Sequence, residues 1–274
     1  MDPNKYSITF ACYNALDYTK LCIDSFYKTN TPLSRLVAVD NGSNDGTYEY
    51  LCSLPLGGFV HNKKNLGCGV AWNQGALLQQ SEWTIIMNND VLLSDGCIDS
   101  LIKTAESNNL KIISPSLIEG PLDYDYVSFV QNEAKLVKNR LRLGKAHAVC
   151  LAVHESVWMK IGYFRPSPSL WGFEDTLFFH AAQKAAIPMA ITGSSWLHHF
   201  GSITQSEMKR DRKLSEKDGL TSRYNYKLLG ESWFERKFRQ FRSKQLSRKY
   251  RDEEISEFGI TLHGVRRGNH FDWF

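Results

Sequence analysis

The sequence predicts an α/β fold, a mostly parallel sheet sandwiched by helices, with a basic helical stretch at its C-terminal end. Three observations carry this. Apolar β-rich runs alternate with segments of helical apolar spacing through the first half of the chain. A polar cluster follows each early strand, where an open parallel sheet presents its ligand crevice. At 274 residues, 42% apolar and 23% charged, the chain is long enough to bury a sizeable core.

Residues 6–12 (YSITFAC) are a β-rich run ending at Tyr13-Asn14, and residues 17–28 follow with apolar side chains at helical spacing. Residues 35–39 (RLVAV) have the pattern of a second, buried strand, which stops at the turn signal Asp40-Asn41-Gly42-Ser43. A helix over 46–54, a strand over 58–61 and a helix over 70–80 continue the rhythm. Residues 83–87 (WTIIM) read as a fourth strand running into Asn88-Asn89-Asp90, and 111–114 as a fifth. Beyond about residue 120 the pattern loosens. Residues 124–138 are partly helical, 147–153 a strand and 154–161 a short helix. A Pro- and aromatic-rich loop then runs through Gly172. Residues 173–186 form a helix and 187–192 a strand, and from Glu207 the chain is basic, aromatic and helical in pieces.

The formal charge of +4 is mild, but residues 207–251 hold fifteen Lys and Arg against six Asp and Glu. Six scattered cysteines without a CxxC pair fit a reducing compartment. There is no apolar leader at the N-terminus and no run of eighteen apolar residues. The expectation is a cytoplasmic protein, with a peripheral seat at the cytoplasmic face of the membrane open to its tail. No recognised module frames the basic residues for nucleic acid. Gly67 and Gly69 are no dinucleotide fingerprint, because Trp72 stands where the third glycine belongs.

Asn88-Asn89-Asp90 is the most informative cluster. Side chains at i and i+2 on a strand point to one side, and oxygen ligands there suit Mg²⁺ or Mn²⁺. The plainer reading is an Asx turn before Leu92. Glu174-Asp175 opens a helix, where acidic residues also simply favour the dipole. His198-His199 follows a strand-like run, where a pair of histidines can be structural or can meet a metal.

Taken in order, these segments resemble the inverting glycosyltransferases of family 2, which have the GT-A fold. Residues 6–14 resemble the family's first strand with its Tyr-Asn ending. Residues 37–47 (VAVDNGSNDGT) are similar to its second-strand motif, and 62–75 (NKKNLGCGVAWNQG) to its Asn-x-Gly-x-Gly-x-x-x-Asn stretch. Residues 85–91 (IIMNNDV) resemble the rhamnosyltransferase-like form of the Asp-x-Asp motif, with Asn in place of the first Asp. The resemblance implies a GT-A-like, Rossmann-like catalytic domain over 1–205. Residues 1–115 would be its nucleotide-binding half and 116–205 its acceptor half, with 206–274 a basic helical extension.

It also implies roles. Asp40 would accept from the imide N–H of uracil or thymine, with Tyr13 and Asn14 lining the same pocket. Asn65, Gly67 and Asn73 would shape the loop below the donor, and Asn88 and Asn89 would belong to the same cofactor-binding set, Asn88 offering the ion a neutral carbonyl oxygen or a water-mediated contact. Asp90 would hold Mn²⁺ or Mg²⁺ with His199 as a further ligand and His198 as the fallback. Asp175 would be the base that takes the acceptor proton, supported by Glu174. The partners implied are a UDP- or dTDP-sugar, rhamnose being one candidate, and a glycan or lipid-linked glycan acceptor. Arg165 stands where the family usually has Asp, and His180 and Gln183 lie on a helix that often carries Arg, so acceptor specificity is open. His147 could touch the donor sugar or be merely buried. Two other readings stay available: a catalytically silent glycan- or nucleotide-sugar-binding protein, and a nucleotidyltransferase. The latter would need a basic Gly-rich loop that residues 13–17 lack.

In the tail, Phe234, Phe238 and Phe241 form a helical stripe flanked by Arg236, Lys237, Arg239, Arg242 and Lys244. The simpler expectation packs that stripe on the domain. The alternative lays it on an anionic membrane.

Overall fold

A computed structural model describes residues 5–166, 173–201, 203–212 and 227–274. Gly172, most of the Pro-rich loop before it, Ser202 and part of the basic tail lie outside the described residues.

The first four strands are β1 (Tyr6–Cys12), β2 (Leu36–Asp40), β3 (Gly58–His61) and β4 (Trp83–Asn88). They pair in parallel in the order β3-β2-β1-β4. All three of β1, β2 and β4 are buried on both faces; β2 and β4 are near-continuous apolar runs, while β1 also buries Ser7 and Thr9. The register sets Cys12 opposite Asp40, Asp40 opposite His61 and Ala11 opposite Asn88. The polar strand ends therefore meet on one rim. Helices α1 (Leu16–Lys28), α2 (Thr47–Cys52) and α3 (Cys68–Leu78) fill the connections.

After β4 the sheet becomes mixed. A three-residue strand, β5 (Val91–Leu93), is followed by α4 (Cys97–Ser107) and then β6 (Ile112–Glu119). Next come α5 (Tyr126–Asn132), β7 (Leu141–Leu143), β8 (Cys150–His154), α6 (Glu155–Ile161), α7 (Glu174–Lys184) and β9 (Met189–His199). Strand β8 lies antiparallel between β4 and β6. Strand β9 runs parallel to β6 and takes β5 and β7 as antiparallel partners. Pairing of β5 with β9 sets Val91 opposite His199, beside the end of β4. Helix α4 buries Ile98, Leu101, Ile102 and Ala105, a stripe the sequence reading passed over.

The residues after 205 hold α8 (Ile203–Arg212 at its start), α9 (Trp233–Phe258) and two strands as well. Strand β10 (His263–Arg267) pairs in parallel with β6, and β11 (His270–Trp273) closes a hairpin on it, so the tail extends the main sheet. Helix α9 opens with a capping box between Ser232 and Glu235 and ends at Gly259 in the left-handed conformation. Its C-terminal half is anchored by buried Glu254, which accepts from Arg142 Nη2 at 2.7 Å and Nε at 2.9 Å and from the Leu262 N–H at 3.0 Å. Its N-terminal half is held by Arg239 on Glu231 (2.7 Å) and by Lys145 on Ser243 (2.7 Å). The Phe stripe does not pack on the domain: Phe234, Phe238 and Phe241 are 77%, 62% and 58% exposed. The simpler expectation for it fails because the contacts of α9 run along its other face.

Candidate active site

The rim begins at β2. Asp40 is fully buried, accepting from the Ser43 N–H at 3.1 Å and facing His61 Nδ1 at 2.7 Å. The imidazole of His61 is 42% exposed and lies edge-on to Tyr48, 4.6 Å between ring centres. What this pair presents outward is therefore His61, which sequence reasoning missed although it directly precedes the Asn62 cluster. Tyr13 is partly buried at the end of β1, and Asn14 is buried in the left-handed region, φ 55°. The Asn14 amide oxygen accepts from the Asn44 N–H (2.9 Å), and its own N–H donates to Ser43 Oγ (2.8 Å). Asn14 thus joins the β1 and β2 loops beside a cleft of about 370 Å³ lined in part by Asn44, Asp45, Ile203 and Arg210.

Below lies a net of amides. Asn41 donates to Asn65 Oδ1 (3.0 Å) and accepts from Asn62 (3.1 Å) and from the Leu66 N–H (3.1 Å). Asn65 Oδ1 also accepts from the Gly67 N–H (2.9 Å). Gly67, φ 91° and ψ 155°, turns the chain into α3 with a backbone that disfavours side chains. Asn73 belongs elsewhere: it grips both backbone groups of Phe164, donating at 2.7 Å and accepting at 3.0 Å. It fixes the chain leading toward α7.

Asn88, Asn89 and Asp90 part company at the end of β4. Asn89 turns inward, donating to Thr19 Oγ1 (2.8 Å) and accepting from Thr204 (3.2 Å). Asp90 is buried, and its Oδ2 accepts from the Ile203 N–H at 3.3 Å. Its Oδ1 lies 3.4 Å from His199 Nε2, an ion-pair contact too poorly aligned for a hydrogen bond, and no donor among the described residues satisfies it. Asn88 Nδ2 is also 3.4 Å from His199 Nε2. On the other side of the ring, Nδ1 meets Glu119 Oε1 at 3.2 Å, and Glu119 Oε2 meets His263 Nε2 at 3.3 Å. Burial opposes charge on His199, but Asp90 and Glu119 outweigh it and raise its pKa to about 9. The two imidazoles hold the Glu119 carboxyl well below its usual range.

Strand alternation separates the two histidines. His198 is buried among Tyr124, Tyr126 and Phe200, with Nδ1 3.0 Å from the Tyr124 hydroxyl, and burial lowers it to about 4. Of the pair, His199 is the one beside Asp90.

Glu174 is buried against the start of α3, where a Cβ on Gly69 would come within 2.8 Å of Glu174 Cγ. Burial raises its pKa, while the Gly69 N–H pulls the other way. Asp175 is only partly buried, and its Oδ1 accepts from the Thr176 N–H at 2.6 Å. Phe173 just before them has φ 86°, a strained conformation for an aromatic residue of the kind found where geometry is functional. Burial pushes the Cys68 thiol to about 12, with Glu174, Asp90 and Asp175 all acting in the same direction. Asp90 after β4 and the acidic pair opening α7 thus both act on the Cys68 thiol at the start of α3. His147 serves the fold, its Nε2 on the Pro115 carbonyl at 2.8 Å.

Among the described residues no three His, Cys, Asp or Glu side chains converge as a complete metal-binding group. Asp90 and His199 still fit a divalent ion. The unpartnered carboxylate oxygen and the ring nitrogen face each other, and Glu119 orients the imidazole from behind. Further ligands would have to come from a bound diphosphate or from water.

A model of the family described as glycosyl transferase family 2 matches residues 7–163, more than half of the chain. Among solved structures, GalNAc-T7 with UDP, GalNAc and Mn²⁺ is 15% identical, with a TM-score of 0.55 over 72% of this chain and 44% of that one. The mannosyltransferase PcManGT from Pyrobaculum calidifontis, in complex with GDP-Man and Mn²⁺, is 18% identical, with a TM-score of 0.53 over 76% of this chain and 60% of that one. At such identities the likeness establishes the fold, and the chain spans roughly half the length of either structure. No curated protein sequence matches it.

Proposed function

Because the chain belongs to glycosyl transferase family 2, we propose that it moves a sugar from a nucleoside-diphosphate donor to a hydroxyl of a glycan, inverting the anomeric carbon. The observation that supports this best is the buried Asp90 Oδ1, without a donor among the described residues and facing His199 Nε2 at 3.4 Å on the strand-end rim. Asp90 and His199 would hold Mn²⁺ or Mg²⁺, which when bound neutralises charge on the departing diphosphate. Glu119 keeps the His199 ring oriented. Asn41, Asn62 and Asn65 hold the donor floor rigid, and Asp40 with His61 forms its base-reading end.

Asp175 acts as the general base, taking the acceptor proton as the oxygen attacks the anomeric carbon opposite the leaving nucleotide. Its partial exposure lets an acceptor reach it. Glu174 is committed to the α3 terminus and serves as a support. The acceptor is a glycan or lipid-linked glycan, and the place of action is the cytoplasm.

The similar structures carry UDP in one case and GDP-Man in the other, so the test is a panel of UDP-, dTDP- and GDP-sugars with and without Mn²⁺. Metal-dependent binding of one donor is expected, lost in Asp90→Ala. In Asp175→Asn, donor binding should persist while transfer falls by about 100-fold or more. Absence of metal-dependent donor binding across the panel would sink the assignment, and full transfer by Asp175→Asn would remove Asp175 as the base.

A further inference from the structure

We propose that the outward face of α9 is a docking surface for an anionic lipid bilayer. Between Trp233 and Lys249 this helix carries seven Lys and Arg against one acidic residue, Glu235. Glu235 keeps its negative charge, held by the Ser232 N–H at 2.8 Å in the first turn, so the cations of this stretch still far outnumber it. At 100° per residue, Phe234, Phe238 and Phe241 form one narrow stripe. Lys237, Lys244 and Arg248 flank it on one side and Arg242 and Lys249 on the other. Two of the cations lie near aromatic rings, Lys237 5.9 Å from the Trp233 centre and Arg242 5.7 Å from that of Phe238.

The helix is fastened from behind. Arg239, Ser243, Tyr250, Glu253 and Glu254 are among the residues that tie it to the rest of the chain, through Glu231, Lys145, the Leu143 carbonyl, Arg140 and Arg142. The aromatic stripe is left mostly exposed, Phe238 alone of the three also lining a cavity with Lys145 and Gln183. Three adjacent, mostly exposed Phe rings on a rigid element need an apolar medium to be stable in. The cations on both flanks require that medium to have a negative surface. A bilayer containing anionic lipid meets both conditions, the rings entering below the headgroups while the basic stems reach the phosphates. Nucleic acid fits less well, because no recognised nucleic-acid module frames these cations. A second copy would have to set one dense cluster of cations against another.

The test is co-sedimentation of the full chain with phosphatidylcholine vesicles, with and without phosphatidylglycerol. Binding at least about tenfold stronger to the anionic vesicles is expected, weakening as salt is added. The variant F234S/F238S/F241S should lose it, and K237Q/R242Q/K244Q should lower it about fivefold per charge removed. All six positions are outward-facing, so an unchanged melting temperature checks that the fold survives. Three outcomes would each overturn the proposal: wild-type protein staying in the supernatant with anionic vesicles, triple-Phe protein binding as wild type does, or a dimer or RNA complex forming through this face with no vesicle binding. The readout is independent of donor chemistry, so it can fail while the catalytic reading stands.

Discussion

A buried carboxylate oxygen without a donor costs a protein on the order of 1–3 kcal/mol, and Asp90 keeps such an oxygen at the rim. Its partner ring is oriented by Glu119, so Glu119→Gln isolates the orienting role from the ligand role. This variant should weaken Mn²⁺ affinity by about 10–100-fold and leave metal-free donor binding unchanged, both readable by titration calorimetry. An unchanged Mn²⁺ affinity would make the Glu119 bridge purely structural. The sequence made Asp90 legible, because a polar cluster ending an apolar strand is a local signal. Glu119 was not, since its partners His199 and His263 lie 80 and 144 positions away and only the pairing of β6 with β9 and β10 brings them together. His61 was within reach, as the last residue of a strand whose neighbour β2 ends in Asp40. Asn73 shows the opposite limit: its motif was readable, but the segment it grips, at Phe164, was not.

Two elements show how local signals and tertiary demands divide. Helix α7 ends with Ala186 in the left-handed region, φ 50°, where its N–H and that of Ile187 close the last turn. Ala186→Gly should relieve that conformation and gain about 0.5–1 kcal/mol, a melting temperature higher by roughly 1–3 °C. A lower value would mean that unfolded-state entropy dominates there. Helix α9 is tied to β7 by Arg142 and Glu254, a buried pair with little solvent access. Glu254→Ala should cost about 3–5 kcal/mol by leaving the guanidinium unpaired, whereas R142M/E254L should recover most of it. Denaturant titration would decide, and equal losses in both variants would show that the charge itself is needed. The helices and strands of the first half were legible because short apolar strands alternate with helical segments and each strand ends in a polar turn signal. The three-residue strands β5 and β7 carry no period, and β10 and β11 form a polar hairpin whose place is set by the exposed edge of β6.

Across the whole molecule, acid should act partly through His147. Burial lowers its pKa from 6.5 to about 4, with His263 and His199 pushing the same way and Glu119 opposing. Between those values the unfolded chain binds a proton that the folded chain refuses, so this contribution is present above pH 6.5 and is lost as the pH falls toward 4. His147→Gln should therefore flatten the stability profile in that window by roughly 1–2 kcal/mol at pH 4.5, measured by chemical denaturation at several pH values. Parallel profiles for variant and wild type would refute it. The same sheet that encloses His147 also sets an order of events. Strands β1 to β4 can pair once Asn88 has left the ribosome, but Glu119 gains its second imidazole only from His263. Through most of translation the nascent chain would have a floor for the donor and an imidazole not yet steadied, so folding of the first half and competence of the site are separate moments in its synthesis.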